Sequence, residues 1–328
     1  MEFKEFKAGK DDDGRRLDRV LRIFLKDTGL GEIYKLLRKG LIKVNQKKAK
    51  PDSHVNEGDV ISIAEFLLDK TTSQNKAENL TDKKNQTELN IVFENEHLLI
   101  INKPYGISVH GSSGKENDGL DKQVLAYYQK KYSSNKNSLS FRPGPLHRLD
   151  RNTTGLLVFS LSLEGAKWFS EGIKNHIIQK KYLGLVQGRL EEKQSWEDRL
   201  SASDKEDESF HTVIKDDEGV LAQTIACPLA YGKLNGKDVS LVEFAIKTGR
   251  KHQIRVQSSI HKHPLAGDTA YGAFKITDKN WKREYFLEAY SLSFPPDNPL
   301  KMPQEIKIKL SPDFRTIIDY CEIKNPGL

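Results

Sequence analysis

Apolar side chains recur at Leu17, Val20, Leu21, Phe24 and Leu25, the spacing of one face of a helix. Gly29 and Gly31 break the pattern. Ile33, Leu36 and Leu37 then predict a second, short helix that Gly40 stops, at a position where a left-handed backbone suits glycine. Leu41–Asn45 and Val60–Ile63 read as strands, so residues 1–69 form a small α+β module. Residues 70–88 are polar, with little but Leu80 to anchor them, and read as a linker. From residue 89 to 328 apolar strands alternate with short helices between loops marked by Gly and Pro. Strands are expected at Asn90–Phe93, Leu98–Asn102, Leu156–Ser160, Tyr182–Gln187 and Val239–Lys247, and helices at Lys122–Lys131, Glu164–Asn175 and Lys251–Ile260. Val239–Ile246 loads both faces, which predicts a strand buried on both sides. No βαβ rhythm and no Gly-rich phosphate loop occurs. The expected class is α+β, a small module followed by a larger domain with a mixed, mainly antiparallel sheet flanked by helices.

Charge narrows the choice of partner. The 328-residue chain has Lys+Arg 53 against Asp+Glu 46, a net charge of +7. This balance points to a polyanion, because clustered Lys and Arg displace counterions from phosphates. The second helix and the turn after it carry Lys35, Arg38, Lys39, Lys43, Lys47, Lys48 and Lys50, with Glu32 the one acid between residues 31 and 50. Such density on a short helix-turn-strand unit suits RNA or DNA phosphates, the alternative being solvated surface lysines. At 37% apolar and 30% charged residues, with no long apolar run, the composition excludes a membrane-spanning, collagenous or wholly disordered chain. Cys227 and Cys321 lie far apart, without the spacing of a zinc or redox motif, and Met1–Lys7 is charged throughout, without a signal-peptide core. A reducing cytoplasm is the expected compartment.

Three stretches could carry chemistry. Pro143–Gly155 contains His147-Arg148-Leu149-Asp150-Arg151 and feeds directly into the apolar run Leu156–Phe159, the arrangement in which a rigid strand positions functional side chains. Arg148 and Arg151 beside Asp150 are expected to lower its pKa and keep it ionised, as a nucleophile or base requires. The competing reading makes Asp150 a turn cap or a structural ion pair. In Thr248–Val256, Thr248 is placed to cap a helix, and Arg250, Lys251 and Arg255 need anions or carboxylates opposite them. A metal at His252 is rejected, since no second ligand stands at suitable spacing and His261 and His263 sit near the helix end beside Pro264. Tyr182 opens an apolar strand, either as a core residue or as a stacking face for a base.

Taken together, His147–Gly155, Asn102-Lys103-Pro104-Tyr105-Gly106 and Thr248–Arg255 resemble the RluA family of pseudouridine synthases. Arg16-Leu17-Asp18 and Ile33–Gly40 resemble an S4 RNA-binding domain, and Val109–Gly114 with Val44–Pro51 look most like the RluC branch, whose members modify large-subunit ribosomal RNA. The resemblance implies the pseudouridine synthase fold and an RNA substrate of the 23S ribosomal type. It implies no metal and no organic cofactor. The expected reaction is cleavage of a uridine N1–C1′ bond, rotation of the uracil and formation of a C5–C1′ bond. By residue-level matching, Asp150 is the essential carboxylate, Tyr182 stacks on the base and helps remove the C5 proton, Arg255 pairs with Asp150, Arg148 enters the RNA helix and Leu287 walls the pocket. Arg151, Thr154, Arg250, His252, Lys35, Arg38 and Lys39 complete the expected RNA contacts. The chain departs from the family pattern at Thr154 (commonly Ser), Glu288 (commonly His) and Gln257 (frequently His). A synthase acting on transfer RNA and a non-catalytic ribosome-assembly factor remain as alternatives, and a monomer is the default.

Overall fold

The computed structural model describes residues 1–25, 28–68, 88–111, 119–132, 138–202, 213–276 and 281–324. Residues 70–87 of the expected linker, and Ser112–Gly114 of one quoted motif, lie outside the described residues. Packing of the backbone divides the chain into two compact units: Met1–Glu88 with Gln123–Gly144 and Leu161–Glu164, and Leu89–Lys122 with Pro145–Ser160 and Gly165–Leu328.

In the first unit, β1 (Phe3–Lys7), β5 (Val60–Ala64) and β3 (Ile42–Val44) form an antiparallel sheet in the order β1-β5-β3. Helices α1 (Leu17–Phe24) and α2 (Leu30–Arg38) bury Leu17, Val20, Leu21, Ile33, Leu36 and Leu37 together with Ile42, Ile61 and Ile63. Gly31 belongs to α2 rather than to the break before it; Gly29, with an extended backbone, is the cap. Lys35, Arg38 and Lys39 are exposed at the C-terminal end of α2. Asp12 is fully buried and accepts hydrogen bonds from the amides of Gly9, Leu139 and Ser140 and from the hydroxyls of Ser138 and Ser140, at 2.6–3.0 Å. That carboxylate ties the segment ahead of the Asp150 loop to the N-terminal residues within one unit. Nothing in the local pattern signalled it, because apart from Gly9 its partners lie more than a hundred residues away.

The sheet of the second unit runs β12-β11-β13-β14-β10-β15-β9-β7-β6, where these are Val213–Lys215, Gln194–Ala202, Val220–Leu234, Lys237–Ile246, Gln179–Gln187, Leu287–Ser293, Thr154–Ser160, Leu98–Lys103 and Ile91–Glu94. Pairing among these strands is antiparallel except for a short parallel contact between β15 and β9. Helix α3 (Leu120–Tyr132) falls mostly in the first unit; α4 (Leu163–Lys174), α5 (Gln253–Ile260) and α6 (Pro312–Tyr320) accompany this sheet, and one core gathers Leu183, Leu185, Leu241 and Phe286 with Phe314 and Ile317 of α6. Residues 239–242 are all buried, as the two-sided apolar pattern predicts. Register sets the site. Phe244, Tyr182, Ala289, Gly155 and Lys103 stand side by side across β14, β10, β15, β9 and β7.

Candidate active site

The row of paired residues brings Tyr182 and the end of the Asp150 loop to the same level of the sheet. Gly155, at φ +108°, makes this possible, since a Cβ there would fall 2.1 Å from the carbonyl oxygen of Ala289. Lys103, fully buried at the end of β7, fixes the loop from beneath. Its ammonium donates to the carbonyls of Pro104, Arg151 and Thr153 at 2.8–3.0 Å. Burial pulls its pKa down to about 7, against the stabilising charge of Asp150. Arg151 closes the loop outward by donating to the Gly106 carbonyl at 2.9 Å.

The Asp150 side chain is 21% exposed, with Arg255 Nη1 at 3.8 Å and His252 Nε2 at 3.7 Å. Burial raises its pKa, outweighing the opposing pull of Arg255, Arg148, Lys103 and Lys251. The expectation that flanking arginines hold this acid low is therefore corrected, because removal of water penalises the carboxylate more than four cations favour it. Arg255 makes its tightest contacts elsewhere. Nε and Nη2 donate to Asp268 at 2.7 and 2.8 Å, and the guanidinium lies between the rings of Tyr271 and Tyr285, 4.9 and 4.5 Å from their centroids. Burial opposes the Arg255 charge, but Asp268, Tyr285 and Asp150 raise its pKa.

His252 sits at φ +53° just ahead of α5. Its Nδ1 lies 2.8 Å from the Tyr271 hydroxyl, which accepts from the amide of Val213 at 3.0 Å. With that hydroxyl donating to Nδ1, the imidazole proton rests on Nε2, on the side of Asp150. Burial, with Arg255 and Lys251 nearby, lowers the His252 pKa to about 3, so the ring is neutral. Thr248 does not cap α5. Its hydroxyl donates to Gln253 Oε1 at 2.8 Å and accepts from the Gln223 amide, because Gln253 reaches back to receive the Arg250 amide as well. Arg250 is exposed and donates to the Leu221 carbonyl at 2.9 Å.

Tyr182 is 5% exposed, and burial, with Asp150 second, raises the pKa of its hydroxyl. Leu287 is buried opposite Gly184 in register. Thr154 offers no free surface: it is buried and donates to Glu288 at 2.7 Å. Glu288, in turn, accepts from the amide and hydroxyl of Ser311. Gln257 donates to Asp198 and accepts from Thr224, at 2.8 and 2.7 Å. All three departures from the family pattern, Thr154, Glu288 and Gln257, thus lie in buried hydrogen-bonded networks. Arg148 is exposed, beside the carboxylate. Lys35, Arg38 and Lys39 belong to the first unit. Sequence reasoning missed Asp268, Tyr271 and Tyr285. Gly267-Asp268 and Tyr271-Gly272 mark a tight turn, but no local signal ties that turn to Arg255.

This sheet and carboxylate loop define a class. The fold is that of pseudouridylate synthases: the structure titled Human RNA Pseudouridylate Synthase Domain Containing 4 aligns with a TM-score of 0.55 at 20% identity, covering 78% of this chain and 98% of the other. The Human RNA Pseudouridylate Synthase Domain Containing 1 structure gives 0.52 at 22% identity, over 74% and 98%. The RNA pseudouridylate synthase family model matches residues 97–259, and the S4 domain model matches residues 15–61. A protein named Ribosomal large subunit pseudouridine synthase C from Haemophilus influenzae is 30% identical over 89% of this chain and 87% of its own length. The protein of that name from Buchnera aphidicola subsp. Schizaphis graminum is 32% identical over 85% of each. The chain belongs to the RNA pseudouridylate synthase family and carries an N-terminal S4 domain.

Proposed function

We propose that this RNA pseudouridine synthase acts on large-subunit ribosomal RNA and that Asp150 is its catalytic group. The observation that carries the reading is the Asp150 carboxylate, held near Arg255 and the neutral His252 and accessible over a fifth of its surface. In the ionised state it takes the 2′ proton of the target ribose, and the N1–C1′ electron pair leaves with the uracil to give a glycal. The uracil turns, C5 attacks C1′, the proton returns to C2′, and the C5 proton passes to N1. Burial keeps Tyr182 a neutral phenol, so any help with the C5 proton comes through a hydroxyl that accepts as it donates. Tyr182 supplies the stacking face, Leu287 a pocket wall, and Arg148 fills the space the uridine leaves. Extrusion of the base costs a few kcal/mol, which stacking and a cation offset. Residues 1–69 act as the RNA-binding module and 89–328 as the catalytic domain of a cytoplasmic monomer. The substrate assignment is supported by the names of the relatives and by the exposed Lys35, Arg38 and Lys39.

Asp150→Asn is expected to abolish pseudouridine formation in a large-subunit RNA transcript while RNA affinity stays within about twofold, since shape is kept and charge is lost. Activity at the wild-type level would reject Asp150. Mapping pseudouridines in total RNA from cells lacking the protein separates the alternatives: sites lost from ribosomal RNA support the reading, sites lost from transfer RNA redirect it, and no lost site favours a binding factor.

A further inference from the structure

Beside the carboxylate stands a hydrogen-bond donor that the reaction so far leaves unused. His252 Nε2 is 3.7 Å from Asp150 Oδ1, beyond hydrogen-bond reach, and among the described residues it makes no hydrogen bond. Solvent reaches it: the buried polar side-chain atoms that lack a partner are elsewhere, at His147, Gln187, Ser258 and Trp281. The opposite edge of the ring is fixed. Tyr271, 8% exposed, accepts the Val213 amide at 3.0 Å and so keeps its own proton for His252 Nδ1 at 2.8 Å; the two rings meet edge to face with centroids 5.9 Å apart. The backbone of His252, at φ +53°, is one that a residue with a side chain keeps where its surroundings impose it. Hydroxyl and backbone together hold one free N–H beside Asp150.

We propose that His252 is a catalytic hydrogen-bond donor, giving its Nε2–H to O2 of the target uracil as the N1–C1′ bond breaks, and that Tyr271 is the positioning residue that fixes the ring's tautomer. The inference rests on the reading of this chain as a pseudouridine synthase with Asp150 as its base, and adds a contact to the departing uracil. The electron pair released at N1 is shared with O2 through the N1–C2–O2 amide, so that oxygen becomes more negative in the transition state, where a fixed donor stabilises it most. Connectivity agrees with the geometry. N1 is separated by C1′ alone from the C2′ whose proton Asp150 takes, and O2 belongs to the carbonyl next to N1, so a donor close to the carboxylate is close to O2. No proton changes hands at His252. Nε2 keeps its hydrogen, and burial keeps the ring neutral, whereas an imidazolium would pair with Asp150 and weaken it as a base.

His252→Leu removes the donor and keeps much of the bulk. With an unmodified large-subunit RNA transcript as probe, kcat should fall about 100-fold, as on loss of one transition-state donor, while KM stays within about twofold. His252→Gln, whose amide presents an N–H in nearly the same place, should recover about tenfold of that loss. Sulfur in place of O2 of the target uridine, in a synthetic fragment of that RNA, is a weak acceptor and should narrow the gap between wild type and His252→Leu by about tenfold. Tyr271→Phe should lower kcat about tenfold, and the NMR shifts of the His252 ring nitrogens should pass from a protonated Nε2 to a mixture of tautomers. An unchanged kcat in His252→Leu, a rise in KM instead, a gap that sulfur leaves as wide, or a wild-type ring protonated at Nδ1 would overturn the proposal; a wild-type kcat in Tyr271→Phe would overturn the part given to Tyr271. If His252→Leu and His252→Ala both fail to fold, the ring serves the fold and the proposal is likewise overturned. Wild-type chain that forms no pseudouridine would instead defeat the functional reading, while the ring-nitrogen shifts still decide whether Tyr271 sets the tautomer.

Discussion

Arg255 carries its charge into a place where burial opposes it, and Asp268 makes that possible through two short hydrogen bonds. Asp268→Ala leaves the guanidinium uncompensated and is expected to cost about 3–5 kcal/mol of stability. Urea unfolding reads that loss; a change below about 1 kcal/mol would show that Tyr271 and Tyr285 hold Arg255 by themselves. Titration supplies a second expectation. In the proposed mechanism ionised Asp150 is the working form, and burial raises its pKa, so kcat/KM should fall on acidification along a limb centred above the ordinary carboxylate value of about 3.9. A limb at or below that value would refute the burial argument. Stability follows the histidines: burial lowers His147 and His252 to about 3, whereas the unfolded chain protonates both near about 6.5. The unfolded state therefore binds more protons across that window, and stability should decline as pH drops from about 6.5 towards 3. Asp150 works with the opposite sign, because the folded chain takes up its proton first. His252→Gln should make the decline shallower in urea titrations at several pH values. Asp150 stood out in the sequence because its loop feeds an apolar strand between two arginines, and only the family resemblance gave it a catalytic role. Asp268 was not, because its partner lies 13 residues away across a turn.

The elements show where pattern reading fails. Gln194–Ala202 alternates correctly, but Trp196 and Leu200 share the inner face with Asp198, and the charge hides the strand. Val220–Leu234 contains Pro228, a residue that argues against a central strand, and the structure accommodates it with a register shift between Pro228 and Ala230. Leu287–Ser293 follows a charged stretch and is buried almost throughout, with Glu288 inside. The helices Leu17–Phe24 and Leu163–Lys174, whose apolar spacing is unbroken, were legible within a few residues. At Gly155 the parallel contact of β15 with β9 depends on the missing side chain. Gly155→Ala should destabilise the fold by more than about 3 kcal/mol, since φ is +108° and the Cβ meets backbone. Denaturant unfolding showing under about 1 kcal/mol would mean that the two strands separate at little cost.

Within the whole chain, the basic end of α2 with Lys35, Arg38 and Lys39 falls to the first unit, and the proposed catalytic residues Asp150, Tyr182 and Arg255 fall to the second. Replacing the three basic residues with Gln should lower the salt slope of RNA binding by about 3 and leave the melting temperature nearly unchanged, as exposed charges removed from phosphate contacts must. An unchanged slope would remove α2 from the RNA surface. Periodicity, turn residues and local charge density by themselves determined that there is an α+β module at the N-terminus, a mainly antiparallel sheet after it, a basic helix end and a carboxylate loop opening a core strand. These are short-range properties, set by which neighbours along the chain can share one face or one turn. Only the tertiary structure decided that Asp268, Tyr271 and Tyr285 clamp Arg255, that Lys103 holds the loop, that Asp12 gathers residues 138–140, and that Asp150 titrates high rather than low. Each of these depends on water excluded, or on partners supplied, by strands and turns distant in sequence.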